Sequence, residues 1–541
     1  MALQGLARIF RRGAGSLRTR RLWIGVAAAV LVLVVAIAAG SWLAEEPLRR
    51  QMEQRLNARL QGYSVRVGAL DLRPLAFGVA LHDVVVTQDA QPDPPVAAIR
   101  RLAAALQWRA LVRLRLVADF EMLEPAVYLD RRHAVAEARD EVPVEKRGWQ
   151  DALEAIHPLQ LNEFRVVEGS LTYVDQGPFP PLQLSRVNGT VRNIRKVHSG
   201  DHPYPSPVRV EAAVFDRGRL VVDGDADLLA RPHPAVRTGV ALEDIGLDFF
   251  RPILLRHNLD VRRGTLSAEG EIEYAPAVTR VDLARVTVRE AVADYVHRPE
   301  TAPKEKARAK QAVDTAQKVS GAPELVVRVG ELEVTGATLG WTNRAARPSY
   351  RVFLGDTDIL VRNLTNQLRE GETVGQIRGR FMGSGATLAV LRMRPETDGP
   401  NFDVRVAIEG TDLRTMNPIL RAHGKADVVS GAFSVYSEIR VRERAVRGYI
   451  KPLFGDVKVY DPEQDRHKGL VRKGWERLLD ALKTILENVP RDEVATVVDV
   501  SGPLKQPDTS TWGTIVNLLR NAFLEAILPG FDRQTGRGRR A

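Results

Sequence analysis

Residues 240–257 read Val-Ala-Leu-Glu-Asp-Ile-Gly-Leu-Asp-Phe-Phe-Arg-Pro-Ile-Leu-Leu-Arg-His, and residues 406–423 repeat them as Val-Ala-Ile-Glu-Gly-Thr-Asp-Leu-Arg-Thr-Met-Asn-Pro-Ile-Leu-Arg-Ala-His. The two stretches align without a gap, and eight of the 18 positions are identical. A unit of this length repeated in tandem predicts an elongated or two-lobed architecture rather than one compact catalytic globule.

The duplication extends beyond these two stretches. Three further sets of residues match in order: Gly264, Ser267, Glu271 and Ile272 with Gly431, Ser434, Glu438 and Ile439; Phe164, Val166, Leu171 and Tyr173 with Leu332, Val334, Leu339 and Trp341; and residues 191–193 with 361–363. His257 and His423 occupy equivalent positions, so we expect them to share a structural role rather than a catalytic one.

Apolar and polar residues alternate along both copies, which is typical of strands with one face in water. The pattern predicts a mainly β fold with long antiparallel sheets in two tandem repeats. Apolar sheet faces of this length have to be buried on a groove ligand or on each other in a closed sandwich or barrel, and the sequence leaves both arrangements open. The apolar rows are Leu266, Ile272, Tyr274, Phe402, Val404, Val406, Ile408, Phe433, Val435, Ile439 and Val441.

The net charge of +11 comes mostly from the two ends of the chain. Six arginines precede residue 22, and the body of the chain is close to balanced, with no basic stripe interleaved with aromatics. Nucleic-acid binding is therefore not expected. The chain has no cysteine, which excludes disulfides, thiolate catalysis and zinc–thiolate sites. The six arginines are Arg8, Arg11, Arg12, Arg18, Arg20 and Arg21.

Residues 22–43 contain no charged side chain, and as a helix they would span about 33 Å, enough to cross a bilayer. The six arginines before this run and Glu45-Glu46 after it predict a single-pass anchor with a cytoplasmic N-terminus and the remaining chain outside. A cleaved signal peptide is the alternative, because Ala36-Ile37-Ala38 has the form of a cleavage site.

Composition and periodicity predict eight segments. They are a basic tail (1–21), the anchor (22–43), an N-terminal helix with strands (44–130), a linker (131–150), the first β-repeat (151–296), a charged linker (297–323), the second β-repeat (324–460), and two amphipathic helices with a short strand and a basic tail (461–541). Within the third segment, leucines and a methionine at four-residue spacing predict a short helix from Pro47 to Leu60.

Motifs for chemistry are scarce. His198 and His202 have a spacing seen in metal ligands, but they lie in a proline-rich stretch without a further ligand. Asp223 to Asp227 begins like a calcium loop and then lacks the required glycine and distal glutamate. No nucleophile elbow, phosphate-binding loop or zinc-protease motif is present. We therefore expect no enzymatic activity, no metal and no cofactor.

Several stretches together resemble the AsmA-like envelope proteins, and the C-terminal third resembles a subfamily known only as a domain of unknown function. The resemblance covers nearly the whole chain beyond the anchor. It is carried by the anchor and helix followed by residues 70–84 (Leu-Asp-Leu-Arg-Pro-Leu-Ala-Phe-Gly-Val-Ala-Leu-His-Asp-Val), and by residues 427–438, 448–454, 490–496 and 521–531.

This resemblance implies an inner-membrane protein of a Gram-negative envelope with a β-rich periplasmic body curled into a groove. It implies phospholipid as the ligand and supplies no catalytic residue. The predicted function is lipid binding or transfer along an apolar groove formed by the rows above. A scaffold that assists envelope assembly through protein partners is the alternative, and an unrecognised enzyme is the third reading.

Overall fold

The computed structural model describes residues 32, 39–58, 60–74, 77–107, 117–130, 160–174, 180–194, 204–215, 217–228, 230, 234–276, 278–305, 307–308, 324–367, 371–394, 401–424, 427–442, 445–459, 493–495 and 498–503. Strands make up 72% of these residues, so the fold is mainly β, as predicted. The chain divides into two compact units, one up to residue 200 with 205–207 and the other essentially from Val208 onward. The division falls inside the predicted first repeat.

Twenty strands and four helical segments follow in chain order. The strands are β1 Tyr63–Arg73, β2 Gly78–Gln88, β3 Ala97–Leu106, β4 Val117–Asp130, β5 Gln160–Val174, β6 Leu182–Ile194, β7 Ser206–Val214, β8 Gly218–Asp227, β9 Ala235–Gly246, β10 Leu259–Ala275, β11 Val278–His297, β12 Leu325–Asn343, β13 Tyr350–Thr365, β14 Thr373–Phe381, β15 Gly385–Met393, β16 Phe402–Asp412, β17 Val428–Arg442, β18 Ala445–Val459, β19 Glu493–Ala495 and β20 Val498–Pro503. The helices are α1 (39–57), α2 Arg251–Leu255, α3 (302–305) and α4 Asn417–Gly424.

In the first unit, strands β1 to β4 pair in antiparallel order and β5 then joins β4 in parallel. Met52 and Leu56 of α1 pack on the apolar face of this sheet beside Val67 and Leu81. Helix α1 begins at or before residue 39, so the prediction that a helix starts at Pro47 was wrong. Proline suits a first helical turn because it lacks an N–H, but here the helix continues through it.

One polar stripe of α1 runs along the free edge of β1. Glu45 accepts a hydrogen bond from the Leu72 N–H at 3.2 Å, and Arg49 donates to the Val67 carbonyl at 2.8 Å. Asn57 pairs with both backbone groups of Val65, accepting at 2.6 Å and donating at 2.9 Å. The stripe satisfies backbone groups that an edge strand would otherwise offer to another chain.

Asn57→Ala tests this role of the helix. We expect a loss of about 1 kcal/mol in the free energy of unfolding, because two hydrogen bonds to Val65 disappear. The freed edge should also raise self-association, which sedimentation at increasing concentration would measure. Gln54→Ala, at an exposed position of the same helix, is the control and should change neither quantity. Equal behaviour of the two variants would contradict the edge-capping role.

The second unit contains strands β8 to β20 in a mixed sheet. Neighbouring strands pair in antiparallel order except at β11 and β12, which are parallel. The expectation of purely antiparallel sheets was therefore wrong at β4–β5 and at β11–β12. Both parallel steps follow a long connection, residues 131–159 and 298–324, and a parallel pair requires such a return path along the full length of a strand.

The duplicated text folds into the same elements twice. Each copy consists of a strand, a 3₁₀ turn, a short helix and a strand: β9, Leu247–Phe250, α2 and β10 in the first copy, and β16, Leu413–Met416, α4 and β17 in the second. The register is also duplicated: Ala268 pairs with Leu242, and the equivalent Val435 pairs with Ile408.

Irregularities of the backbone recur at matching positions as well. Asp244 and Gly410 both have positive φ, at 50° and 67°, and both N–H groups donate to a serine hydroxyl, Ser267 at 3.1 Å and Ser434 at 3.0 Å. Such a β-bulge bends a strand and increases its twist, and it is retained where it serves the fold. His257 lies in the turn after α2 and His423 in the last turn of α4, where only its backbone is described.

A buried carboxylate joins the strands at the parallel step of the second unit. Asp294 of β11 has a 5% exposed side chain and pairs with Arg262 of β10 and, at 2.6 Å, with Arg351 of β13. Arg351 reaches it across β12 because the residue opposite Asp294 is Gly340, which has no side chain in the way.

Gly340→Ala should therefore weaken the second unit. The added methyl group would overlap Asp294 Oδ1 and lie 2.9 Å from Arg351 Nε, so the ion pair has to move. We expect a loss of about 1–3 kcal/mol in the free energy of unfolding, measured by chemical denaturation. Gly455→Ala is the control, since nothing lies within 4 Å of its new methyl group. Equal stability of the two variants would show that Gly340 is not needed for the contact.

Several predicted features lie outside the described residues. These are Arg8, Arg11, Arg12, Arg18, Arg20 and Arg21, most of the predicted anchor, His198 and His202, and both predicted C-terminal helices. Among the residues that the structure describes, no helix is both long and apolar enough to span a membrane.

Candidate functional site

An uninterrupted row of apolar side chains and glycines crosses twelve strands of the second unit. Each member is the registered partner of the next, so all twelve lie side by side on one face of the sheet. From β8 to β18 and then β20, the row is Leu220, Leu242, Ala268, Val286, Leu332, Val361, Gly375, Leu391, Val404, Ile439, Gly448 and Val500.

A second row lies beside the first on the same face, two residues further along most strands. It contains one polar residue, Ser437, and no charge. From β9 to β18 it reads Ile245, Leu266, Val288, Val334, Ile359, Ile377, Ala389, Val406, Ser437 and Ile450. We call these two rows together the apolar band.

The opposite face of the same strands is charged. The residues adjacent in sequence to the first row form a registered row of their own: Glu269, Arg285, Glu331, Arg362, Val374, Arg392, Asp403, Arg440 and Arg447. Glu331 lies 3.6 Å from Arg285 and 3.3 Å from Arg362, as an exposed ion-pair ladder. A hydrogen bond from Arg440 holds the pKa of the Glu438 carboxyl on this face below its ordinary value. This face is therefore the solvent face of the sheet.

The dimensions of the apolar band fit acyl chains. Neighbouring strands lie about 4.8 Å apart, so twelve strands make the band about 50 Å long. An acyl chain in a bilayer reaches through half of a hydrocarbon core about 30 Å thick. The band is therefore long enough for about three acyl chains in succession.

Burial along the band is uneven. At β16 and β17 it belongs to a hydrophobic core in which Val404 is 5% and Ile439 1% exposed, packed with Leu413 and Met416 of the 3₁₀ turn. Between β9 and β13 the first-row side chains, such as Leu242 and Leu332, are only half-buried. The half-buried stretch is the part of the band with room for a ligand.

The eleven residues predicted to face lipid do not form one surface. Leu266, Val404, Val406 and Ile439 belong to the apolar band. Phe402, Ile408, Phe433, Val435 and Val441 flank it in the core of β16 and β17, each at most 5% exposed. Ile272 is half-buried, and Tyr274 is 45% exposed near the end of β10.

Most of the half-buried stretch was missed by the sequence reasoning. Val286, Leu332, Ile359 and Val361 come from β11 to β13, around the parallel step. Their period-two alternation was visible, and Leu332 and Val334 had been noted as repeat positions. The register that places them beside Ala268 and Leu391 is a property of the paired backbones and had no signal in a single strand.

The first unit carries the same kind of surface. Two registered rows cross β1 to β5 on the face covered by α1: Leu72, Val79, Ala104, Phe120 and Phe164, and Leu70, Leu81, Leu102, Met122 and Val166. Their last members, Phe164 and Val166, are the sequence matches of Leu332 and Val334 in the apolar band.

An apolar pocket of about 560 Å³ lies at one end of these strands. It is bounded by Ser41 of α1, by Phe77 in the β1–β2 turn, and by small residues that leave the space open. This volume falls in the range of small-molecule sites, about 300–1,000 Å³. The remaining lining residues are Leu72, Pro74, Gly78, Val79, Ala104, Ala105, Leu106 and Ala118.

The chemistry available at the apolar band and at the pocket is apolar binding. Neither presents a charged or nucleophilic side chain. In the described part of the chain, no group of three or more His, Asp or Glu side chains is arranged to hold a metal ion.

Comparison with known proteins gave no relative. No protein-family model matches the chain, and no curated protein matches it either.

Proposed function

We propose that this chain is a non-enzymatic protein, anchored in the inner membrane with its body in the periplasm, that holds phospholipid acyl chains on the apolar band. The observation that carries the proposal is the band itself: about 50 Å of registered apolar side chains without a charge, half-buried over β9 to β13.

Burial of methylene groups provides the binding energy. Each CH₂ that leaves water contributes about 0.8 kcal/mol, so ten methylenes contribute about 8 kcal/mol before the cost of ordering the chain. The charged row on the opposite face keeps that side in water. A lipid held on the band would leave its headgroup at the margin of the sheet, because the band offers the headgroup no polar partner except Ser437.

The pocket of the first unit supports the same ligand at the end nearest the predicted anchor. Ser41 belongs both to its lining and to the uncharged run of residues 22–43. An acyl chain leaving a bilayer at the end of this run would meet an apolar space before it met water.

Native mass spectrometry of the full chain, purified in mild detergent, tests the proposal. We expect bound phospholipid that survives removal of the detergent, with more than one molecule per chain at saturation because of the length of the band. A chain that carries no phospholipid under these conditions would overturn the proposal and favour the alternative, a scaffold for envelope proteins.

Topology is tested separately. A reporter that is active only in the periplasm, fused after Ala541, should be active, because Arg8 and the five arginines that follow it keep the N-terminus in the cytoplasm. Moving these six arginines to the far side of residue 43 should impair or invert insertion. Activity of a cytoplasm-dependent reporter at the same position would contradict the periplasmic placement.

A further inference from the structure

Three large apolar side chains are exposed at the pocket end of the first unit. Trp42 and Leu43, in the early part of α1, are 72% and 70% exposed, and Phe77 in the β1–β2 turn is 48% exposed. Ser41 and Phe77 line the same pocket, so the helix and the turn lie on two sides of it. An exposed cluster of this kind is typical of a surface that contacts a membrane or a partner.

We propose that this end of the first unit, the docking tip formed by Trp42, Leu43 and Phe77, inserts into the outer leaflet of the inner membrane and opens the pocket between them to an acyl chain. The inference rests on the proposed function. It adds a second, turn-borne contact with the bilayer and places the entry of the lipid.

The chain before the tip favours a bilayer as its partner. Residues 22–43 carry no charge, so α1 begins at the end of an uncharged run. Trp42 lies near the end of that run, and tryptophan is enriched where the hydrocarbon core meets the headgroups.

The charges after the tip set its depth. Hydrogen bonds from Arg49 and then Arg50 lower the pKa of the Glu46 carboxyl to about 2, so that this carboxyl stays ionised and in water. Glu46 lies four residues beyond Trp42, about 6 Å along the helix. This rise is close to the thickness of one interfacial layer, about 5–7 Å, so Trp42 can sit at the edge of the hydrocarbon while Glu46 stays hydrated.

The turn reaches the same level as the helix. Leu72 near the end of β1 bonds to Glu45 of α1, which fixes the strand beside the helix one turn below Trp42. Phe77 follows in the turn beyond that strand, with positive φ at 48°. The pocket between helix and turn is floored by Ala104, Ala105 and Ala118, whose small side chains leave the space for a chain entering from the lipid side.

Single fluorophores on the full-length chain test the tip. The chain has no cysteine, so Phe77→Cys creates one labelling site for a polarity-sensitive dye. In vesicles of phosphatidylethanolamine and phosphatidylglycerol, we expect blue-shifted emission that is quenched severalfold by lipids with a spin label on the acyl chain. Leu129→Cys is the matched control, since Leu129 is apolar, 39% exposed and eleven residues along β4 from Ala118 of the pocket. Its dye should report water.

A third probe separates the possible failures. Leu43→Cys reports the anchor alone, and its dye should lie in lipid. A Phe77→Cys dye that behaves like the Leu129→Cys dye, while the Leu43→Cys dye is in lipid, would overturn the docking tip and leave the proposed function standing. Lipid quenching at position 77 in a chain that retains no phospholipid would support the tip and overturn the proposed function instead.

Discussion

Phe433→Glu is expected to unfold the second unit or to lower its free energy of unfolding by more than about 4 kcal/mol. Phe433 is fully buried, its ring centroid lies 5.2 Å from that of Phe454, and both belong to the core at β16 to β18. Truncation of a buried phenylalanine alone costs about 3–5 kcal/mol, and a carboxylate without a partner adds its desolvation cost.

Circular dichroism during urea unfolding measures this effect. Val429→Glu is the matched control, because Val429 is on the same strand and 53% exposed. Its stability should stay within about 0.5 kcal/mol of the parent chain. A Phe433→Glu chain as stable as the Val429→Glu chain would mean that this part of the apolar face is an open surface and not a core.

Leu332→Glu is expected to do the reverse: the chain should fold and lose its lipid. Leu332 is in the first row of the apolar band, half-buried at β12, and its repeat neighbours on both sides, Val286 and Val361, are also apolar. A carboxylate against an acyl chain costs several kcal/mol, so lipid retention should fall at least about 100-fold.

Native mass spectrometry and circular dichroism on the same preparation separate binding from folding. Leu388→Glu is the control, because it makes the same substitution at a residue that is 43% exposed on the opposite face of β15. It should keep both fold and lipid. A folded Leu332→Glu chain that retains as much phospholipid as the Leu388→Glu chain would contradict a lipid site on the band.

The strands themselves were largely predictable because their signal is local. Phe433, Val435 and Ile439 alternate with polar residues, and the structure buries them on one face of β17. The duplication likewise fixed which elements correspond, because Val240 and Val406 begin stretches that fold alike. Alternation and repetition are properties of one segment or of two aligned segments, and both can be read without coordinates.

The pairing of strands was not predictable in the same way. Nothing in residues 298–323 shows that β12 returns to lie parallel to β11, since the same length of linker could also lead to an antiparallel partner. The apolar band depends on that step, because Val286 meets Leu332 only in this register. The sequence therefore pointed to apolar rows on individual strands, while their continuity across twelve strands required the backbone pairing.

The role of α1 shows a second limit. Its apolar stripe at Met52 and Leu56 was visible from four-residue spacing, whereas its polar stripe at Glu45, Arg49 and Asn57 looked like an ordinary solvated face. Only the position of the helix beside β1 shows that these side chains bind backbone groups. The early start of the helix, before Pro47, likewise depends on packing that a capping rule does not include.

Site-specific photocrosslinking in living cells tests the lipid-bearing band most directly. A photoreactive side chain is placed at position 332, on the band, or at position 388, on the charged face, and adducts are analysed by mass spectrometry. We predict phospholipid adducts at position 332 and none at position 388. Equal labelling at the two positions, or adducts at position 332 that are only protein, would contradict the account.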